Sequence, residues 1–358
     1  MTNKTDGLIW IFVSIAATLI ACPVSGNLLS PLPTPQLGTI FESPIPRPTP
    51  LPGCGSDLLF PTQPSPSHPL ELSLQSYPSG GSGSASLAID KHDNIWIANY
   101  ASYNVSKLDS SGRLVGVYPV NGWPMGITLD ESGNVWTSNY FGDAITKLAP
   151  TGDTLATYQV EGAGLNDLVI DKSGHVWATN TLSNTIVNIR RTGMITIPVD
   201  SAPRKIAIDK SDILWIIHEG SSNVMKLDTT GETIATYPVC SSPQTIAIDN
   251  MENVWVATVG GAVNKLSPNG QLLGVYGASD RSHPAPHAIV ADSLDNIWIA
   301  NYGNDTVSVL SPGGKLIGSI ALDDSPFGIA VDSVDNIWVA GFTRGTVTKI
   351  SIEQATMP

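Results

Sequence analysis

The stretch Gly328-Ile329-Ala330-Val331-Asp332-Ser333-Val334-Asp335-Asn336-Ile337-Trp338-Val339-Ala340 decides the fold. A short apolar run ends at an Asp, a polar turn follows, and a second apolar run carries a Trp six residues after the Asp. The same spacing recurs at Asp90/Trp96, Asp130/Trp136, Asp171/Trp177, Asp209/Trp215, Asp249/Trp255 and Asp292/Trp298. Successive Asp positions differ by 40, 41, 38, 40, 43 and 40 residues, and seven of the nine Trp residues occupy this one position, which makes it an internal repeat rather than coincidence.

Outward from the Trp, each unit continues with a third apolar run such as Val105-Ser106-Lys107-Leu108. A Gly-containing turn such as Ser267-Pro268-Asn269-Gly270 follows, then a fourth run such as Leu272-Leu273-Gly274-Val275-Tyr276. Four short runs rich in Val, Ile, Thr and Tyr, repeated about every 40 residues, predict the blades of a β-propeller. The seventh unit stops after its third run, Thr346-Val347-Thr348-Lys349-Ile350, while Leu70 to Tyr77 precede the first unit and resemble an isolated fourth run. The prediction is therefore an all-β, seven-bladed propeller of four-stranded blades over 70–352, its last blade closed by the N-terminal strand, which also protects open edges. Residues 353–358 form a short tail.

Each repeated Asp heads a turn in which a short carboxylate can accept backbone N–H groups. A calcium loop is the alternative, because Asp335 and Asp295 add second carboxylates, but several copies have Gly there and structural turns are favoured. The turns after the first and third strands are uniform, whereas the connections entering the first strand and leaving the second vary, so function is expected on the face that carries the latter. Five residues before each Asp stand Ala85, Met125, Asn166, Arg204, Gln244, His287 and Phe327. Just after the second strand stand Asn99, Asn139, Asn180, His218, Thr258, Asn301 and Gly341, followed by Tyr100, Tyr140, Thr181, Glu219, Val259, Tyr302 and Phe342. Ring closure is expected to gather these positions into one polar and aromatic depression at the channel mouth. The ligand-binding candidates are Met125, Asn166, Arg204, His218, Glu219, Gln244, His287 and Phe327. His287 and the His218-Glu219 pair are those able to do acid/base work or hold a metal.

Before the repeat, Leu8 to Ala21 form an apolar run too short to span a bilayer comfortably but suited to a signal peptide, and Leu19-Ile20-Ala21-Cys22 resembles a lipobox. Residues 1–22 are thus expected to direct export, with Cys22 lipidated as the only membrane attachment. Residues 23–69, dense in Pro as in Pro44-Ile45-Pro46-Arg47-Pro48, read as a stalk. Cys54 and Cys240 are the remaining cysteines, and an oxidising compartment would permit their bridging. The 358-residue chain carries a net charge of −13 and no basic block, which argues against nucleic acid as a partner. Its charged fraction of 14% with 33 Gly and 27 Pro excludes a coiled coil and long helices. A monomer is expected.

The repeat, with its Lys-Leu-Ser-Pro-like third strand, resembles NHL-type propellers and most closely the virginiamycin B lyase family, over about Leu70 to Ile352. That resemblance implies a seven-bladed propeller that opens cyclic streptogramin B antibiotics by elimination, using a divalent metal and a His/Glu constellation on the channel face. The family's Pro-His-Ala-Ile element stands at Pro286-His287-Ala288-Ile289. Its Glu-Pro-His-Gly is here Ser325-Pro326-Phe327-Gly328, and a further Glu after the last Trp corresponds to Phe342. The expected function is accordingly a binding module for a small molecule, glycan or envelope protein, with no cofactor. The alternative is an enzyme, a magnesium-dependent streptogramin lyase or a lactonase-like hydrolase with His287 as base; a propeller that only displays loops is a third possibility.

Overall fold

The computed structural model of the protein describes Cys54 and residues 72–352. The expected signal segment and Cys22, the Pro-rich stretch apart from Cys54, and the tail 353–358 lie outside the described residues. Within them the chain forms seven antiparallel sheets of four strands. Six are consecutive in sequence and run outward from the axis in chain order. The seventh is completed from the other end of the domain: Leu72–Pro78 pairs antiparallel with Thr346–Ile352, register Leu72↔Ile352 to Pro78↔Thr346. Innermost strands of successive blades touch in order, and Pro326–Val331 of blade 7 touches Ser84–Ile89 of blade 1, so the ring is closed.

The core consists of the seams between blades. At the closing seam Trp338, Ala340 and Val347 of blade 7 pack on Leu87, Ile95, Ile97 and Leu108 of blade 1. Between blades 4 and 5, Trp215 and Ile217 meet Ile246, Val254 and Val256 in the same way. A buried indole presents an N–H that must find an acceptor, and the repeated Asp supplies it. Asp332 Oδ2 accepts from Trp338 Nε1 at 2.9 Å and from Asn336 Nδ2 at 2.7 Å, while Oδ1 accepts the backbone N–H groups of Val334 and Asn336 at 3.1 and 2.8 Å. One carboxylate thereby closes the turn between strands 1 and 2 and satisfies the seam Trp. A cation covers the same ring from strand 3: Lys107, Lys147, Lys226 and Lys265 each place Nζ 4.6 Å from the centroid of their blade's Trp. Lys226 and Lys265 also donate to the carbonyls of Pro268 and Pro312 in the next blade, at 2.9 and 2.7 Å.

The second carboxylates of these turns do not gather around an ion. Asp335 accepts from the backbone N–H of Ser293 in blade 6, and Asp295 from that of Asn250 in blade 5. Asp93 of blade 1 accepts both Ser333 N–H at 3.0 Å and Ser333 Oγ–H at 2.7 Å from blade 7, linking residues 240 apart at the point of closure. Asp212 and Glu252 serve blades 3 and 4 likewise. In blades 2 and 3 the equivalent turn position is Gly133 or Gly174, and the latch is missing.

Cys54 and Cys240 are disulfide-bonded, with Cα atoms 5.3 Å apart. Cys240 is buried in the connection between Thr233–Pro238 and Pro243–Ile248, on the channel-mouth face, so the chain just upstream of the ring-closing strand is tied to the boundary between blades 4 and 5.

Two outcomes are expected. Asp332→Ala, which orphans a buried indole N–H and two backbone N–H groups, lowers the unfolding free energy by about 3 kcal/mol, whereas Asp93→Gly, which removes the exposed latch at a left-handed turn position that Gly suits, lowers it by about 1 kcal/mol, both read from denaturant midpoints. Reduction of the disulfide, or Cys240→Ala, lowers stability by about 3 kcal/mol through the freed unfolded chain, read as a fall in thermal midpoint.

Candidate functional site

A β-bulge builds the site. In every blade the pairing of strand 1 with strand 2 skips near its channel end, as where Pro286 faces Asn301 and Ala288 faces Ala300, leaving His287 without a ladder partner. The same skip frees Ala85, Met125, Arg204, Gln244 and Phe327, and in blade 3 it falls across Asn166 and Asp167. A bulge kinks the strand and re-aims its extra side chain, so one irregularity repeated seven times presents the candidate positions at the channel mouth.

These positions divide into two crescents. Across blades 6, 7, 1 and 2 they are aromatic or apolar: Ala85, Met125 and Phe327 form a buried cluster with half-buried Tyr100, Tyr140, Tyr302 and Phe342 against it. The His287 ring lies on Phe327 at 3.3 Å between centroids and 27° between planes, and Phe327 stacks on Phe342 at 4.6 Å. Tyr302 meets Phe327 edge-on at 5.7 Å. Across blades 3 to 5 the lining is polar. Arg204 Nη1 donates to Glu219 Oε2 at 2.9 Å, and Lys205 Nζ lies 3.7 Å from Asp167 Oδ1. Asn166 is buried and Gln244 half-buried beside them. Arg204 Nε is buried without a partner.

Electrostatics separate the halves further. Burial holds the His287 imidazole well below its ordinary pKa, and the charges of Arg204 and Lys205 push in the same direction; hydrogen bonding to the backbone of Phe327 and of His287 itself opposes them without prevailing. Burial pushes the Tyr100 phenol up to about 12 and raises Tyr140 and Tyr302 as well. The Arg204 charge is felt by both Tyr140 and His287, which sets the guanidinium opposite the aromatic crescent. The depression thus joins a neutral aromatic floor, with one neutral imidazole able to accept a proton or hydrogen bond, to a guanidinium–carboxylate pair.

The positions that end strand 2 behave differently from the expectation that they open into the depression. Asn99, Asn139 and Asn301 are fully buried, and their amides donate to Ser106, Thr146 and Ser308 of strand 3. Gly341 is buried too, against the Asp324 carboxylate. His218, at the same blade position, is 4% exposed. Burial lowers its pKa, against the influence of Asn223 at the start of strand 3 and of Asp200. It therefore does not pair with Glu219, which is committed to Arg204. The Asp167–Lys205 pair joins the residues four before the repeated Asp in blades 3 and 4, one position beyond the candidates singled out in the sequence.

A divalent metal, which the resemblance implies, is not suited by these donors. His287 is faced by Phe327 and Tyr302, Glu219 is engaged by a cation, and among the described residues no group of three or more His, Cys, Asp or Glu side chains could hold an ion.

The family model described as the virginiamycin B lyase family matches residues 72–350, the whole ring. The chain belongs to that family. Solved structures similar to it include a streptogramin B lyase, 18% identical with a TM-score of 0.73, covering 79% of this chain and 98% of that one. Virginiamycin B lyase from Staphylococcus aureus is likewise 18% identical with a TM-score of 0.73, covering 79% of this chain and 100% of its own. A catalytically inactive form of that enzyme, solved with quinupristin, is 17% identical at the same TM-score and covers 79% of this chain and 100% of its own. Among curated proteins none matches. At such identities the structural likeness concerns the fold alone.

His287 is expected to stay neutral through pH 6 in the folded protein, so its imidazole carbon-bound proton shifts should not move between pH 8 and pH 6 in NMR titration, while an exposed histidine titrates near pH 6.5. Because the folded value is depressed, the associated stability is present above about pH 6.5 and is lost as pH falls toward the folded value.

Proposed function

We propose that the protein is an exported recognition propeller whose channel face binds a small amphipathic molecule, with a flat apolar part on the His287–Phe327–Phe342 floor and an anionic or carbonyl oxygen directed at Arg204. The observation that carries this reading is the stack of His287 on Phe327 and of Phe327 on Phe342, facing the Arg204–Glu219 pair across one depression. Aromatic faces supply burial and shape, while a few placed polar groups fix orientation, the usual division in a ligand pocket. An aromatic floor beside a single engaged guanidinium suits a small molecule better than a glycan or an envelope protein. Met125, Asn166 and Gln244 complete the lining, and no cofactor is needed for recognition. Export is supported by the Cys54–Cys240 bridge, which an oxidising compartment maintains. Attachment through a lipid on Cys22 follows from the lipobox-like segment, and incorporation of a fatty-acid label that Cys22→Ala abolishes is the expected result.

A second reading, catalysis by a lyase or a lactonase-like hydrolase, is favoured by the family to which the chain belongs and by an imidazole kept neutral, which can serve as a base. Titration calorimetry distinguishes the two. With 2-naphthoate as probe, Arg204→Ala is expected to weaken binding about tenfold by removing a charge-assisted contact, and Phe327→Ala to weaken it comparably, with EDTA without effect. Unchanged binding in both variants overturns the site. Quinupristin, which the inactive S. aureus enzyme was solved with, serves as second probe: ring opening by the wild type that His287→Ala abolishes would move the conclusion to catalysis.

A further inference from the structure

Outside the channel depression the same face carries an aromatic ledge that the repeat does not explain. Trp123 is the one Trp among the described residues that lies outside the Asp-to-Trp repeat, in the connection between Leu114–Pro119 and Pro124–Leu129. Its ring meets Tyr103 at 5.0 Å and 77°, and Phe141 at 5.4 Å and 83°. Phe141 in turn meets Tyr140 of the channel cluster at 4.7 Å and 89°. Tyr103 and Phe141 are 45% and 43% exposed, values unusual for large aromatic side chains with a core available.

The backbone holds these rings in a fixed array. Tyr140 N–H donates to the Trp123 carbonyl at 2.8 Å, and Val120 N–H to the Tyr103 carbonyl at 2.9 Å. Gly122 and Gly142 back onto one another so closely that a Cβ on Gly122 would sit 2.7 Å from the Gly142 Cα. Tyr103 itself has φ +54°, in the left-handed region. The equivalent turn position, whose carbonyl accepts from the residue after strand 4, is the left-handed Asp143, Asn184, Gly261, Asp305 or Gly345 in five other blades, all residue types that tolerate it, and Ser222, which is not left-handed, in blade 4. A Tyr there is held at a conformational cost, and such outliers concentrate where a side chain is needed for function.

The connections that carry the ledge hold charge of one sign, while Arg204, on the polar side of the channel, is felt as far as Tyr140. The channel-face connections of blades 1 to 3 contain Asp143 and Glu161, both exposed, and no Lys or Arg. Glu161 belongs to the connection whose Gly164 N–H bonds the Tyr140 carbonyl at 2.8 Å, so it flanks the ledge from the blade 3 side. Perpendicular packing occupies one edge or one face per contact and leaves the remaining faces to solvent. Aromatic faces attract cations, and quaternary ammonium groups, being weakly hydrated, lose least on leaving water for them. With no basic side chain to hold a lipid phosphate, a free small cation fits better than a lipid headgroup.

We propose that Tyr103, Trp123 and Phe141, with Asp143 and Glu161 as flanking carboxylates, form a binding site for a small soluble trimethylammonium compound, separate from the channel depression. The test is titration of the full-length protein with choline and with its neutral isostere 3,3-dimethylbutan-1-ol, followed by calorimetry and by the ligand methyl resonances. Choline is expected to bind at millimolar concentration and at least about fivefold more tightly than the alcohol, and Trp123→Leu to weaken it by at least about fivefold. Tyr103→Asn suits the left-handed backbone, so it is expected to keep or raise the thermal midpoint while still weakening choline, which separates loss of the site from loss of the fold. Absence of choline binding, equal binding of the alcohol, or choline binding that survives Trp123→Leu and Tyr103→Asn but is lost in Phe327→Ala would overturn the assignment.

Discussion

The structure depends on the hydrogen bond from a buried indole N–H to the carboxylate that heads its own blade's first turn. A Trp is wide enough to fill the wedge between two blades, but its N–H cannot be left dry without a cost comparable to the packing it provides. Placing the acceptor six residues earlier, across the turn from strand 1 to strand 2, lets a single Asp shape the turn and satisfy the wedge. The Lys of strand 3 then completes the layer: its ammonium lies over the indole face and, as with Lys147 at 3.0 Å from Asp130, against the same carboxylate. Where this Lys is present the seam is a small charge-balanced layer around an apolar wedge; blade 3 has Arg190 near Trp177 instead and blade 6 has Val309 opposite Trp298, so the carboxylate–indole bond is what all seven seams share.

That arrangement assigns different work to the two faces. The turns opposite the channel mouth are engaged first by the Asp within its own blade and, except where Gly133 and Gly174 stand, by latches such as Asp335 to Ser293 and Asp93 to Ser333 between blades. A face whose polar groups are all committed to stability has little freedom to vary. The channel-mouth face is held instead by backbone bonds between strand ends and by Asn99, Asn139 and Asn301 reaching into strand 3, which leaves the bulged residues and those after strand 2 free to differ from blade to blade. The division into an aromatic and a polar crescent uses that freedom.

The fold was legible because its decisive contact is local in sequence: Asp and Trp lie in one hairpin, and a spacing of six survives in every copy. The closing strand was legible for a related reason, since the seventh unit lacked a fourth strand and an unpaired one lay upstream. The bulged positions were legible by periodicity alone, because all seven blades skip near the same point. Other features depend on partners far away in the chain. Asp335 reads as a turn residue with a calcium ligand as the alternative, and its partner is not legible until Ser293 of the preceding blade is placed against it. Asn99 reads as a channel residue until Ser106 is seen to take its amide. Trp123 stood outside every copy of the repeat, so periodicity said nothing about it.

The difference between this site and the one its family resemblance implies reduces to two substitutions with a single physical effect. A His and a Glu beside His287 would keep that corner polar, hydrated and able to share a cation. Phe327 and Phe342 supply neither donor; Phe327 lies on the His287 ring with Phe342 stacked on Phe327, and burial in this corner is what lowers the imidazole pKa. Loss of the metal-side groups and creation of an apolar floor are thus one change rather than two. The charge that a metal would have supplied is answered across the channel by Arg204, whose guanidinium presents donors in a fixed plane and is held by Glu219. A ligand bound there meets a preorganised cation on one side and an uncharged aromatic surface on the other, which selects molecules whose own polarity is divided in the same way.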